Sequence, residues 1–311
     1  MDPTAQEPAA DFHADRLQAA LVDSGFASVT VLDQVDSTNV WLADHVRQNG
    51  GTDLSAVVTG FQSAGKGRLD RQWFTPPGVA LTFSVACTPR TAAGAPWPME
   101  YVPWLTLLMA HSVTQAVRDI TGVPAVVKWP NDVLVNSRKL CGVLASLIAH
   151  PDGSGPSVVV GAGLNVSQRH LPIPTATSLR LEVGDDAAVP GRQTLLTDIL
   201  REFARCYHQV SLNPGAALGP GGEMRALLES EVDTIGRRVV LHLPGSSVPE
   251  EAVAEGLGTS GELIVRGDSG AARALSAGDV VHVRPAPGKD RTAAEQRALE
   301  HVARATSGER A

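Results

Sequence analysis

Cysteine is scarce. Cys87, Cys141 and Cys206 are odd in number and far apart, with no CxxC pair and no His/Cys cluster along the chain. That excludes a disulfide framework, gives no support to a structural zinc site, and fits a reducing cytoplasm. No uncharged apolar run approaches the length of a membrane span, so no membrane partner is expected. Met1 to Asp15 carries acids and no apolar stretch, which excludes a secretory signal. Positive charge is in deficit, with 26 Lys and Arg against 33 Asp and Glu, and a net charge of −7 argues against a general nucleic-acid surface. The ~28 residues before the first strand leave room for about one helix, whereas a DNA-reading helix-turn-helix needs two or three. No DNA partner is expected.

What is present is enough for a large core: 311 residues, 43% apolar and 19% charged. The organising stretch is Lys128-Trp129-Pro130-Asn131-Asp132-Val133. It follows the apolar run Val123 to Val127, and Pro130 stops that run from continuing as a central strand. An amine, an indole, an amide and a carboxylate are thereby held on a stiff turn. After Val133-Leu134-Val135 and the polar turn Asn136-Ser137-Arg138, a second lysine, Lys139, opens the segment Leu140-Cys141-Gly142-Val143-Leu144. This reads as a returning hairpin strand that sets Lys139 against the Trp-Pro-Asn-Asp corner.

Three other stretches end in small or polar residues. Asp36-Ser37-Thr38-Asn39 opens a helix running through Val46, and its hydroxyls either cap that helix or grip a polar ligand beside free N–H groups. The strand Ala56 to Thr59 runs into Gly60 to Trp73, a loop in which Gly65 and Gly67 allow positive φ and close approach, and Lys66, Arg68 and Arg71 are closely spaced. It is either a solvated basic loop or a cradle for phosphate or carboxylate. It matches neither a Walker loop nor a dinucleotide fingerprint. The apolar strand Ser157 to Val160 ends in Gly161-Ala162-Gly163-Leu164-Asn165, where small residues leave space and Asn165 offers a donor and an acceptor.

Elsewhere, helices are predicted over Arg16–Asp23 with Gly25 at the end, Val102–Ile120 with Pro103 in the first turn and Gly122 at the end, Gln193–Val210 and Met224–Ser230. His111 lies off the apolar stripe of the longest early helix and reads as structural. From Thr234 the texture changes to five short strands with Gly-containing turns, the pattern of a small β-barrel. The expected organisation is a loose segment 1–15, a large domain 16–232, the small barrel 233–286 and a charged tail 287–311, helical from Thr292 or disordered.

Taken together, Gly65-Lys66-Gly67-Arg68-x-x-Arg71-x-Trp73, Lys128-Trp129-Pro130-Asn131-Asp132 and Lys139-Leu140-x-Gly142 resemble the biotin–protein ligases, the biotin–[acetyl-CoA-carboxylase] ligase family, over roughly residues 30 to 285. The resemblance implies an α+β fold: a mixed or antiparallel sheet flanked by helices, of the class II synthetase-like kind, plus a C-terminal SH3-like barrel. It implies that biotin attacks the α-phosphate of Mg·ATP to give biotinyl-5′-AMP. A lysine of a biotin carboxyl carrier domain of a biotin-dependent carboxylase then takes the biotinyl group.

By the same resemblance, biotin is met by Ser37, Thr38, Asn39, Gln62, Lys66, Gly67, Arg68, Lys139, Gly142 and Leu144. ATP is met by Gly65, Lys66, Arg68, Arg71, Trp73, Lys128, Asn131 and Asn165. The catalytic residues are Lys139, Arg68 and Asp132, with Asp132 also the candidate Mg2+ ligand. A monomer or weak homodimer is expected. The alternatives are a lipoate–protein ligase and a biotinyl-AMP-binding regulator; the Trp-Pro-Asn-Asp block, the barrel and the short N-terminus favour the biotin enzyme. Three departures stand out. Lys66 replaces the usual arginine and loses its planar fork. Leu69-Asp70 replaces a basic residue and a glycine. Cys141 stands where alanine is common and is expected to pack as a small hydrophobe.

Overall fold

In chain order the strands are β1 (Ser28–Val35), β2 (Ser55–Gln62), β3 (Gly65–Lys66), β4 (Gln72–Trp73), β5 (Ala80–Cys87), β6 (Val126–Lys128), β7 (Asp132–Val135), β8 (Arg138–Ile148), β9 (Ser157–Asn165), β10 (Arg238–His242), β11 (Glu250–Leu257), β12 (Leu263–Gly267), β13 (Ala272–Leu275) and β14 (His282–Pro285). The helices are α1 (Ala14–Leu21), α2 (Thr38–Asn49), α3 (Trp104–Thr121), α4 (Leu179–Val183), α5 (Arg192–Leu212), α6 (Pro214–Leu218), α7 (Glu223–Glu231) and α8 (Ala293–Ser307). This computed structural model describes residues 11–150, 155–243, 248–276, 282–285 and 293–307.

Seven strands form one mixed sheet in the order β1-β2-β5-β9-β8-β7-β6. Only β1 and β2 pair in parallel; the other neighbours are antiparallel. Every residue of the central strand β9 is buried, which is why no polar side chain interrupts it between Ser157 and Asn165. The two sheet faces carry different layers. Leu42, Ala43 and Val46 of α2 pack on Val57, Ala86, Ile148 and Val159. Leu105, Leu108 and Val113 of α3 and Leu196, Ile199 and Phe203 of α5 pack on the other face with Val58, Val85 and Val160. Strand alternation thus splits β2, β5 and β9 residue by residue between the two layers.

One step in β8 breaks that alternation. Val133 faces Cys141 and Leu134 faces Lys139, so Leu140 is an extra residue in a β-bulge. Ile148, Leu144 and Gly142 share the α2 face by simple alternation, and strict continuation would place Leu140 there. Instead Leu140 is fully buried in the opposite layer, and Lys139 arrives on the face of Gly142.

The five C-terminal strands, expected as a small barrel, form a small antiparallel sheet in the order β13-β12-β11-β10-β14. Its Val239, Leu241, Ala254, Leu263 and Val265 are buried. It is joined to the large sheet by directed bonds. Trp104 Nε1 donates to the Thr259 carbonyl at 2.7 Å and Trp129 Nε1 to the Gly261 carbonyl at 2.9 Å. Asp233 N donates to the Val127 carbonyl at 2.7 Å.

Several expectations are corrected. The loose segment expected through residue 15 does not extend to residues 11–15: Phe12 is buried, Arg192 Nη2 lies 2.6 Å from Asp11 Oδ2, and α1 starts at Ala14. Residues 1–10 lie outside the described residues. Pro103 stands at the N-cap of α3 rather than in its first turn, and α4 and α6 carry no signal that periodicity could detect. Within the tail, α8 is a helix, because Ala294 and Ala298 bury against Val126 and Leu134, and Arg297 Nη2 donates to the Ser230 carbonyl at 2.6 Å. The remaining tail residues, 287–292 and 308–311, lie outside the described residues. Removing residues 293–311 should uncover Val126 and Leu134, costing about 2 kcal/mol at ~25 cal/mol per Å2 of apolar surface and lowering Tm by about 5 °C. Calorimetry of the truncated chain, showing Tm unchanged, would contradict this packing account.

Candidate active site

A cleft of about 1100 Å3 opens on the α2 face of the sheet, beyond the N-terminus of α2. All the residues assigned above to biotin or ATP line it except Gly65. Gly65 stands behind the wall instead. A Cβ there would lie 2.4 Å from the Trp73 carbonyl oxygen and 2.9 Å from Gln62 Nε2, so its glycine is required by the close β3–β4 pairing.

The inner end is polar and tightly wired. Ser37, one of the candidate caps, is the N-cap of α2 but makes no side-chain cap bond, so its hydroxyl is not spent on the helix end. Thr38 N and Oγ1 both donate to Gln62 Oε1, at 2.8 and 3.0 Å. Ser84 Oγ reaches Thr38 Oγ1 at 2.8 Å and Asn39 Oδ1 at 2.6 Å, while Asn39 Nδ2 donates to the Leu144 carbonyl at 2.8 Å. Ser84 was not singled out from the sequence: it sits inside the apolar strand β5, and only a buried hydroxyl amid apolar neighbours could have signalled a polar network.

The floor is bare sheet. Gly142 pairs with Gly163, and Gly161 and Gly163 face the same way. A Cβ on Gly163 would lie 2.6 Å from Trp73 Cε2, and one on Gly161 would lie 2.1 Å from Asn39 Oδ1. The glycines of β9 therefore let an indole and an amide lie flat against the backbone. Trp73 Nε1 is buried with no hydrogen-bond partner among the described residues, a polar atom that a ligand can satisfy.

The outer wall is the basic loop. Gly67 N donates to the Arg71 carbonyl at 2.7 Å, closing the β3–β4 hairpin. Gly65 and Gly67 allow positive φ, but it falls instead on Leu69 (55°) and Asp70 (56°) at the tip. The glycines serve close approach, and two side-chain-bearing residues carry the left-handed strain. Arg68 Nη1 donates to Asn131 Oδ1 at 3.3 Å, docking the loop on the Trp-Pro-Asn-Asp corner. Burial pulls the Arg68 pKa down, with Asp132 opposing and Arg71 adding to the shift.

Lys139 stands between wall and floor. Its Nζ is 2.6 Å from Asp132 Oδ1 and 5.8 Å from the Trp73 ring centre. A Cβ on Gly142 would sit 3.0 Å from Lys139 Cε and Nζ, so Gly142 gives the lysine room to lie along the sheet. Its backbone is clasped by the segment after β9: Lys139 N donates to the Thr175 carbonyl at 2.7 Å and Thr177 N to the Lys139 carbonyl at 2.8 Å. Beside it, burial pushes the Cys141 thiol up to about 12, with Lys139 opposing, so Cys141 stays a neutral packing residue.

Two amides differ from their expected use. Asn165 Nδ2 donates to the Thr177 carbonyl at 2.9 Å and Gln168 Nε2 donates to Asn165 Oδ1 at 3.0 Å. Asn131 Nδ2 donates to the Val143 carbonyl at 2.7 Å. Both line the cleft, yet each holds a neighbouring segment in place. The stretch Gln168 to Ala176, with His170, Leu171, Pro172 and Ile173 on the wall, was missed altogether. It has neither helical nor strand periodicity, and two prolines are its only sequence signal.

Comparison with known proteins gives a consistent picture. Residues 31–165 match the model of the biotin/lipoate A/B protein ligase family, and residues 234–283 match the biotin protein ligase C terminal domain. The chain is 32% identical over 282 residues to a biotin–[acetyl-CoA-carboxylase] ligase of Mycobacterium tuberculosis, covering 89% of this chain and 97% of the relative. It is 30% identical over 180 residues to the bifunctional ligase/repressor BirA of Escherichia coli, covering 57% of this chain and 52% of that protein. Among solved structures, a biotin protein ligase from Aquifex aeolicus in complex with biotin and ATP aligns with a TM-score of 0.63 at 26% identity, over 84% of this chain and 100% of that one.

Proposed function

The chain belongs to the biotin protein ligase family, and we infer that it uses ATP to attach biotin to a lysine of a carboxylase's carboxyl carrier domain through biotinyl-5′-AMP. The observation that carries this reading is one cleft joining a polar inner end, a bare glycine floor, a basic loop and Lys139.

The roles we propose rest on this arrangement. The Ser37, Thr38, Asn39 and Gln62 cluster takes the ureido ring of biotin, since Thr38, Asn39 and Gln62, fixed by other bonds, do not have to be ordered on binding. The biotin carboxylate then points along the floor toward Lys139. As the carboxylate attacks the α-phosphorus, negative charge grows on the non-bridging oxygens. Lys139 Nζ, already held over the glycine floor, meets that charge without reorganisation. Lys66, Arg68 and Arg71 neutralise the phosphates, and Trp73 gives the adenine an apolar face. Pyrophosphate leaves. In the second half-reaction the carrier amine attacks the acyl carbon, AMP is the leaving group, and Asp132 is placed to accept the amine proton.

Mg2+ fits this site as an ion that arrives with the nucleotide, because such ions use one or two carboxylates plus substrate phosphates. Asp132 and Asp233 are the two carboxylates on the wall. The ion would neutralise phosphate charge.

The test is pyrophosphate release from ATP with biotin, and with lipoate in parallel, followed by transfer to a carrier domain. Release with biotin alone and label on the carrier lysine is expected. Release with lipoate alone would move the substrate to the other branch of the family. Binding of biotin with no release would make the protein a sensor.

The loop contributes a separate expectation. Arg68→Ala removes the bond to Asn131 and one phosphate cation, so bound biotinyl-5′-AMP should dissociate at least about 10-fold faster, as loss of about 1.4 kcal/mol implies. Rapid filtration of pre-formed complex measures this, and an unchanged off-rate would show that the loop does not retain the adenylate.

A further inference from the structure

Read along the chain, the cysteines had no histidine partners; folding supplies one. His111 of α3 meets Glu202 and Cys206 of α5, and one ligand atom from each lies within 4.8 Å of the others. Glu202 and Cys206 are four residues apart, so they share one face of α5. His111 and Cys206 are fully buried, while Glu202 borders a surface cleft of about 270 Å3 lined also by Gln115, Asp119, Asp198, Arg201 and Arg205. These residues have no part in the ligase cleft.

Three observations make this more than a chance cluster. First, His111 Nδ1 lies 2.5 Å from Glu231 Oε2, which leaves Nε2 aimed at Glu202, 3.1 Å from Oε1. A carboxylate on the far nitrogen is the arrangement that orients metal-binding histidines. Second, that carboxylate is itself fixed: Arg118 Nη1 and Gln115 Nε2 both donate to Glu231 Oε1, at 2.7 and 3.2 Å. Third, a cation already stands at the ligands. Arg205 Nη2 is 2.6 Å from Glu202 Oε1 and 3.3 Å from Cys206 Sγ. Its side chain is 55% exposed, so it can swing into solvent.

We propose that His111 Nε2, Glu202 and Cys206 Sγ form a zinc site at the α3–α5 interface, in which Zn2+ displaces the Arg205 guanidinium and takes water as its fourth ligand. The donor set is nitrogen, sulfur and carboxylate oxygen, which suits zinc and not Mg2+ or Ca2+. The protons balance. The thiol proton of Cys206 and the Nε2 proton of His111 leave to solvent, while the Nδ1 proton stays on the bond to Glu231. Zinc therefore competes with Arg205 for Glu202 and Cys206. Bound metal would tie α3 to α5 at the back of the core layer.

The experiment titrates the purified full-length protein with Zn2+, after chelator treatment, and substitutes Co2+ as the spectroscopic probe. One equivalent of Zn2+ is expected, with a thiolate-to-Co2+ charge-transfer band and a Zn2+-dependent rise in Tm. Cys206→Ser should abolish the band and weaken Zn2+ binding at least about 10-fold, as loss of a metal ligand implies. Glu202→Gln should weaken binding with the band retained, and serves if the serine variant does not fold. Arg205→Ala, at an exposed position, should tighten binding, an effect that a merely structural cluster would not produce. No Co2+–thiolate band in the wild type would overturn the site. Equal Zn2+ affinity in wild type and Cys206→Ser, or an Arg205→Ala variant that binds no tighter, would also overturn it.

Discussion

Lys139→Ala is expected to slow biotinyl-5′-AMP formation by about 10³-fold, the upper range for removing one donor preorganised toward developing charge. Biotin affinity should fall much less. The difference arises because the ammonium is already in place in the resting protein. Its Nζ is held by Asp132 at 2.6 Å, its stem lies in the space that Gly142 leaves, and its backbone is pinned at both N–H and carbonyl. A group fixed before substrate arrives contributes most where charge changes most, which is at the α-phosphate in the transition state. Single-turnover formation of the adenylate, measured at saturating biotin and ATP, isolates that step. A rate within about 10-fold of wild type would remove Lys139 from the role of charge stabiliser.

Gly161→Ala is the second large effect, and it acts through a residue that touches no reacting atom. Its Cβ would stand 2.1 Å from Asn39 Oδ1 and 2.9 Å from Ser84 Oγ. Asn39 cannot retreat without losing the bonds to Ser84 and to the Leu144 carbonyl. The whole inner cluster must shift, and a displacement of about 1 Å in a positioning group can cost 10²-fold. The KM for biotin should rise about 100-fold, with a stability loss of about 1–3 kcal/mol from overpacking. Gly163→Ala gives the contrast: its methyl meets the Trp73 indole, so it should weaken ATP more than biotin. Isothermal titration of both ligands against both variants separates the two. Equal losses of biotin and ATP in each variant would show that the floor is not divided in this way.

Much of this site was legible in the sequence because its residues are concentrated where strands end. Lys128 to Asp132 and Lys139 to Leu144 read as a hairpin, and they form β6, β7 and β8. What could not be read was the bulge at Leu140. Alternation alone would send Lys139 into the core layer; the hairpin reading set it against the Trp-Pro-Asn-Asp corner without the extra residue that turns it there. Gly65 stands behind the cleft wall for a reason the sequence does not show: a glycine on a ligand wall and one behind it look alike, and only the Trp73 carbonyl, 2.4 Å from where a Cβ would lie, tells them apart. Segment 168–176 escaped because irregular backbone has no period to detect. The Asn165 amide illustrates the converse, a polar residue in the expected place whose hydrogen bonds are spent on Thr177 and Gln168.

The two indole bonds to the C-terminal sheet have a mechanical consequence. Trp104 comes from the core helix α3 and Trp129 from the corner that bears Asn131 and Asp132, and both end on the single turn Thr259–Gly261. That turn is a rivet through which the small sheet and the ligase cleft share strain. A load on the small sheet therefore pulls on Trp129, two positions before Asn131 and three before Asp132.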